Sequence, residues 1–182
     1  KCRIDADNYG FVIAGEVKAS GMPIFNKYHR QIDRTYNGGT DAFVARFNTK
    51  DSLVFSQYIG GTDEDGFLGL KITKPNEIAL VGYSKSSEYE DLTYRSSTSQ
   101  YIDTVMQSGA IKMLVTKLDS TGQKKWASYY GNGSSYACLG WSVTNDTKNT
   151  YMTGTTYGSF NIGTTNPPGV MNYTSQLDIT SG

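Results

Sequence analysis

Short runs of alternating apolar and polar residues make up much of this chain, and turn-forming residues separate them. Alternation with a period of two, together with many aromatic and β-branched residues, is typical of β-strands. Long windows rich in Ala, Glu, Leu and Lys, which would predict helices, are missing. The short turns between the runs predict antiparallel hairpins. The pattern predicts two sets of four strands, at 41–48, 52–60, 66–73 and 77–84, and at 111–119, 123–131, 136–144 and 149–156.

The two sets of strands belong to an internal repeat. Residues 41–73 align with residues 112–144 without a gap, over 33 columns at an offset of 71. A gap-free match of this length indicates duplication of one structural unit. The alignment keeps aromatic, apolar and glycine positions, such as Phe55 with Trp126 and Leu68 with Leu139.

A glycine marks three copies of the pattern. An apolar-x-apolar-x-Gly core ends at Gly15, Gly82 and Gly154, with spacings of 67 and 72 residues. We therefore divide this single domain into a partial unit with its link (1–40), a complete unit with its link (41–110), and a second unit with a trailing link (111–182).

Repeated units of four antiparallel strands, joined by longer links, predict an all-β fold built from β-propeller-type blades. One twisted sheet cannot bury both of its faces, so the blades are expected to pack face to face. The chain holds about two and a half blades, whereas a closed propeller needs about four to eight. We expect an incomplete or open propeller that is a segment of something larger, or a subunit completed by neighbours. The expected core between blades is Phe43, Phe47, Phe55, Tyr58, Leu114, Leu118, Trp126 and Tyr129.

The first complete unit resembles a known family. Its sequence "GGTDAFVARFN", then "SLVFSQYIGGTDEDGFLGLKIT" and "NEIALVGYS", is similar to the seven-bladed β-propeller repeat, often called the SBBP repeat. The resemblance covers almost the whole chain and is most specific at 38–84, whereas "AIKMLVTKL" in the second unit lacks the Asp-Ala-Phe of the first. It implies a propeller in a large exported or cell-surface protein, mostly bacterial, and it implies no catalytic residues.

The composition narrows the classes of function. Lys+Arg and Asp+Glu both total 17, so the net charge is zero, which argues against a nucleic-acid partner held by a basic surface. The mean hydropathy is −0.45 and apolar runs are short, so no segment is expected to span a membrane. Low charge with many Ser, Thr, Asn and Tyr residues suits an extracellular or cell-surface location. Cys2 and Cys138 could form one bridge or be two small core residues.

One turn has the spacing of a calcium-binding loop. In "DADNYGFVIAGE", Asp5, Asp7 and Glu16 fall at positions one, three and twelve of that template, with Gly10 at position six. Position five is Tyr9 and the flanking segments are predicted strands, so a plain hairpin turn is the favoured interpretation and a calcium site is the alternative. Calcium is the only cofactor that the sequence suggests.

Other chemistry is sparse. The chain has one histidine and none of the common hydrolase, zinc or phosphate-binding motifs, so we predict that it is not an enzyme. In the acidic turn "GGTDEDGF", Asp63 and Asp65 would be the acids of an enzymatic alternative. Asp41, just after Gly38 and Gly39, is expected to tie the preceding link to the first strand.

Candidate modification and ligand residues lie in predicted turns and links. Asn132, Asn145 and Asn172 each begin an Asn-x-Ser/Thr sequon for glycosylation. Tyr89 and Tyr94, in a polar link, could stack on sugars.

The sequence thus predicts a non-catalytic extracellular scaffold or protein-interaction surface, within a larger assembly or filament. Its expected partners are other blades or domains of the same protein, identical subunits, or glycans. The alternatives are a carbohydrate-binding module and the non-catalytic part of a larger secreted enzyme.

Overall fold

The chain folds into twelve β-strands in a computed structural model, which describes residues 1–73, 76–87, 94–95, 103, 106, 109–131, 137–145 and 150–157. No helix occurs among these residues, so the all-β prediction is confirmed. The strands are β1 (Cys2–Asp7), β2 (Gly10–Val17), β3 (Phe25–Asn26), β4 (Asp41–Asn48), β5 (Leu53–Ile59), β6 (Asp65–Thr73), β7 (Glu77–Ser84), β8 (Tyr94–Arg95), β9 (Met113–Leu118), β10 (Lys124–Tyr130), β11 (Cys138–Asn145) and β12 (Thr150–Thr156). All eight strands predicted from the alternation are present, with bounds that differ by at most two residues.

The strands form three antiparallel sheets. The first sheet has the order β1-β2-β4-β5-β3 and the second has the order β6-β7-β9-β10-β8. The third sheet, among the described residues, contains β11 and β12. Apart from the short edge strands β3 and β8, each full sheet is therefore a meander of four strands that follow one another along the chain.

The grouping of strands differs from the sequence-based expectation. Strands β4 to β7 were expected to form one sheet, but β4 and β5 join β2, while β6 and β7 join β9. The segment 60–64 is not a hairpin and crosses from the first sheet to the second. The start of β6 instead runs parallel to the start of β4, through a bridge between Thr40 and Glu64 and a hydrogen bond from Asp65 N to Thr40 O of 2.7 Å. Each full sheet therefore combines the last two long strands of one sequence unit with the first two of the next.

The gap-free alignment is correct for two strands of the repeat and wrong for the third. Arg46 pairs with Phe55, as Lys117 pairs with Trp126, which keeps the offset of 71. In the third strand, Phe67 pairs with Gly82 as Gly140 pairs with Gly154, so the offset there is 73 and Leu68 does not match Leu139. Side chains alternate with a period of two, so a slip of two residues leaves every apolar position on the correct face. The alternation could not reveal the slip.

Two hydrophobic cores lie between the sheets. The core between the first and second sheets includes Val12, Ala14, Val44, Phe67 and Leu80. The core between the second and third includes Val81, Val115 and Val143, with Met152 packed against it. Of the eight residues that the sequence predicts between blades, Phe55, Leu114, Leu118 and Tyr129 belong to the first core and Trp126 packs against the second. The prediction is wrong for Phe43, Phe47 and Tyr58, because in the alternation of β4 and β5 they lie on the opposite face from Val44 and Phe55.

The three repeat glycines occupy equivalent positions. A Cβ atom at Gly15, Gly82 or Gly154 would lie 2.2, 1.8 or 2.3 Å from a carbonyl oxygen of the neighbouring strand. No side chain fits at such distances unless the backbone moves. The glycines are therefore required by the close approach of two backbones at the same point of all three sheets.

Replacing Gly82 with alanine should destabilise the fold. Its Cβ would meet the Gly66 carbonyl oxygen at 1.8 Å, and backbone shifts of this kind cost about 1–3 kcal/mol. The free energy of unfolding, measured by urea denaturation, should fall by that amount. Gly39→Ala is the matched control, because a Cβ there meets nothing within 4 Å. Equal losses in both variants would contradict the steric explanation.

Candidate functional site

Two fully buried carboxyl groups, Asp41 and Asp65, stand at the starts of β4 and β6. The two oxygens of Asp41 accept hydrogen bonds from the backbone N–H groups of Asn37, at 2.9 Å, and Gly38, at 3.1 Å. These bonds fasten the link that precedes β4 to the strand itself. The role that the sequence predicts for Asp41 is therefore confirmed.

Asp65, at the start of β6, connects this strand to two other segments of the chain. Its Oδ2 accepts hydrogen bonds from the Gly61 N–H, at 2.8 Å, and the Ser86 hydroxyl, at 2.7 Å. The Ser86 Oγ in turn accepts a bond from the Asp63 N–H at 3.0 Å. One carboxyl group thus ties the crossing segment, the start of β6 and the segment after β7 together.

Glycines allow the two acidic turns to pack against each other. A Cβ at Gly38 would lie 2.1 Å from the Asp63 carbonyl oxygen, and a Cβ at Gly60 would lie 2.9 Å from the Asp41 Cγ. One glycine of each pair, Gly38 in "YNGGTD" and Gly60 in "IGGTDED", is therefore a packing requirement of the crossing between sheets.

Burial changes the acidity of both groups. It raises the pKa of Asp65 to about 6, although hydrogen bonds from Ser84, Gly61 and Ser86 favour the charged form. The nearby Asp41 carboxyl adds a smaller effect in the same direction. Burial also raises the pKa of Asp41, against the bonds from Asn37 and Gly38. Asp65 therefore takes up a proton at a higher pH than an ordinary aspartate side chain does.

The second repeat reverses the charge of this arrangement. Lys112 stands at the position of Asp41, and its Nζ lies 2.8 Å from the Asp103 Oδ2 while its side chain is 3% exposed. Cys138 stands at the position of Asp65, since the backbone N–H of Cys138 bonds to Ile111 O as that of Asp65 bonds to Thr40 O. Each site thus fastens a link to a strand, once through a carboxylate and once through an ammonium group.

Sequence reasoning missed this lysine. The alignment already placed Lys112 opposite Asp41, at the offset of 71. A charged residue in the column of a buried anchor was the available signal, but the buried ion pair with Asp103 depends on the path of a link that the sequence does not reveal.

The two cysteines are not bridged. Both are free, with Cys2 exposed and Cys138 buried. Burial raises the pKa of the Cys138 thiol, against a hydrogen bond from the Met113 N–H and the charge of Lys112. Cys138 is therefore a small buried residue, one of the two roles that the sequence left open.

The three carboxylates of the candidate calcium loop have separate partners. Asp5 bonds to the Ile72 N–H at 2.7 Å and to the Lys71 ammonium at 2.9 Å, whereas Asp7 accepts from the Arg46 guanidinium at 3.1 Å. In the residues that the structure describes, no group of three His, Cys, Asp or Glu side chains converges on a metal position. The spacing matches the template, but the three carboxylates are distributed along the antiparallel hairpin of β1 and β2.

Glu16 lies at the other end of that hairpin. It bonds to the chain's terminal ammonium group at 3.2 Å and accepts from the Tyr83 hydroxyl at 3.0 Å. Burial alone would raise the pKa of Glu16, but these two partners lower it below its usual value. For Asp5, too, the Ile72 N–H and Lys71 outweigh burial and lower the pKa.

The remaining candidates are placed as follows. Asp63 is exposed while Asp65 is buried, so the two acids of the enzymatic alternative do not share a surface. Tyr89, Asn132 and Asn172 lie outside the described residues, and so do the side chains of Tyr94, in β8, and Asn145, at the end of β11. Glycosylation and sugar stacking at these residues stay predictions.

No protein-family model matches this chain, and no curated protein matches it. Within the described residues, no helix is long and apolar enough to cross a membrane.

The buried Asp65 predicts an unusual pH dependence. Since its pKa is about 6 in the folded protein and 3.8 in the unfolded chain, Asp65 stabilises the fold fully below pH 3.8. That contribution is lost as the pH rises through about 6. The shift of roughly two pKa units corresponds to about 3 kcal/mol. The stability of Asp65→Asn relative to the unmodified protein should therefore increase by up to that amount between pH 4 and pH 7.

Urea denaturation of both proteins across this pH range measures the difference. Taking the difference cancels carboxyl groups that do not interact with Asp65, such as Asp5, whose lowered pKa acts in the opposite direction. A difference that does not change with pH would show that Asp65 is not protonated on burial.

Proposed function

We propose that the chain is a non-catalytic β-propeller-type segment of an extracellular or cell-surface protein, acting as a scaffold or protein-interaction surface. The observation that carries the proposal is the stacking of successive four-stranded meanders. The first sheet packs face to face on the second, and the second packs on β11 and β12. Blades of a propeller stack in this manner around an axis.

Three further features support a repeated scaffold. The glycines Gly15, Gly82 and Gly154 allow the same close backbone approach in all three sheets. The resemblance to the SBBP repeat supports the same interpretation, because that pattern is associated with propellers in exported proteins. The phase of the sheets suits this architecture, because each sheet draws its strands from two adjacent sequence units.

The chemistry of the described acids supports a structural role. Asp41 and Asp65 are buried and fasten turns, while Asp5, Asp7 and Glu16 pair with cationic groups or backbone N–H groups. The single histidine, His29, is exposed in a link. These groups stabilise the sheets and their connections, which is the function expected of a scaffold.

Binding and activity assays test this proposal. On a glycan array and with a panel of chromogenic glycosides and esters, the protein should show neither saturable binding nor turnover. Glycan binding that is lost in Tyr89→Ala and Tyr94→Ala, and kept in the exposed control Tyr28→Ala, would instead support a carbohydrate-binding module. Hydrolysis that is lost in Asp63→Asn would support the enzymatic alternative.

A further inference from the structure

The face of the first sheet that points away from the second sheet, here called the outer face, is apolar. On this face, three rows of paired residues run across β1, β2 and β4, and none of their residues is charged: Cys2–Gly15–Phe43, Ile4–Ile13–Ala45 and Ala6–Phe11–Phe47. Ile4 is 69% exposed, and four further large side chains on this face are only half-buried. Contiguous apolar patches of this kind mark interaction sites. The large side chains of the outer face are Ile4, Phe11, Ile13, Phe43 and Phe47.

The equivalent face of the second sheet is already covered within the chain. The pairings of β6, β7 and β9 correspond to those of β1, β2 and β4, so Leu80 stands where Ile13 stands and Leu114 where Phe43 stands. These leucines are fully buried under Val12, Ala14, Ala42 and Val44 of the first sheet. The molecule therefore contains an interface formed by the same kind of face.

A complementary face lies at the other end of the stack. On the third sheet, the side chains that point away from the second sheet include Tyr151 and Thr153, which are exposed. Because Gly154 is equivalent to Gly15, these two residues stand where Val12 and Ala14 stand in the first sheet. Ser142 and Thr144, their partners in β11, are also exposed and uncharged. We call this the end face.

We propose that the outer face of one copy docks on the end face of a second copy of the chain. This contact would continue between molecules the stacking that joins the sheets within one molecule. The side chains named above on the two faces are uncharged, so their association buries no unpaired charge of theirs. Because the two faces differ, the contact is head-to-tail and generates either a closed ring or an open filament. The inference rests on the proposed function, since it treats the sheets as stacking units.

Sedimentation velocity over a concentration series tests the proposal. The unmodified protein should self-associate, and Ile4→Lys, on the outer face, or Thr153→Lys, on the end face, should each abolish association. Both positions are exposed, so the fold should survive, as urea denaturation of each variant can verify. Ser20→Lys adds the same charge at an exposed position of the link and should associate normally.

Mixing the two variants gives the decisive result. The Ile4→Lys copy keeps its end face and the Thr153→Lys copy keeps its outer face, so an equimolar mixture should form a one-to-one dimer and nothing larger. A monomeric unmodified protein would overturn the proposal, and so would a mixture that stays monomeric. Association that persists in Thr153→Lys would overturn it in favour of outer face pairing with outer face. Glycan binding or hydrolysis would contradict the proposed function and leave these association states unchanged.

Discussion

The backbone hydrogen bond from Asp65 to Thr40, with the buried carboxyl groups around it, determines how this chain is divided into sheets. It places the start of β6 beside the start of β4, so that the chain leaves the first sheet after β5 and begins the second. Without that crossing, β5 and β6 would be free to form a hairpin, and the stacked meanders would merge into one long sheet. The same connection recurs between Cys138 and Ile111, which begins the third sheet. The same kind of crossing therefore leads from the first sheet to the second and from the second sheet to the third.

The two crossings keep their backbone geometry while their side chains change chemistry. Asp41 and Asp65 in the first are replaced by Lys112 and Cys138 in the second, and the anchored link supplies N–H groups in one and a carboxylate in the other. A buried charge is costly unless it is paired, so each substitution requires a matching change in the link. The buried anchor and the group that it meets in the link therefore differ together at these two positions. The buried acids Asp41 and Asp65 thus stabilise the connections between strands through hydrogen bonds.

The stacked sheets leave two unlike ends. Within the molecule, each full sheet offers one face of large apolar side chains and one face of smaller ones, and the two kinds meet between the first and second sheets. At the ends of the stack, Ile4 on the outer face and Tyr151 and Thr153 on the end face are exposed to solvent. A scaffold built in this way extends by the same physical interaction that holds it together, which connects the proposed function to the proposed self-association.

The sequence by itself determined eight of the twelve strands among the described residues, the repeat and the role of Asp41, because alternation and turn residues are local signals that survive without tertiary context. It also marked Gly15, Gly82 and Gly154, although only the close carbonyl contacts explain why glycine is needed there. The tertiary structure decided which strands share a sheet, the two-residue slip in the third strand, and the partners of Asp5, Asp7 and Lys112. Each of these depends on contacts between residues far apart in the chain, such as Asp5 with Ile72. The alternation of apolar and polar residues shows which face of a strand a side chain occupies. It does not show which neighbouring strand or link that face will contact.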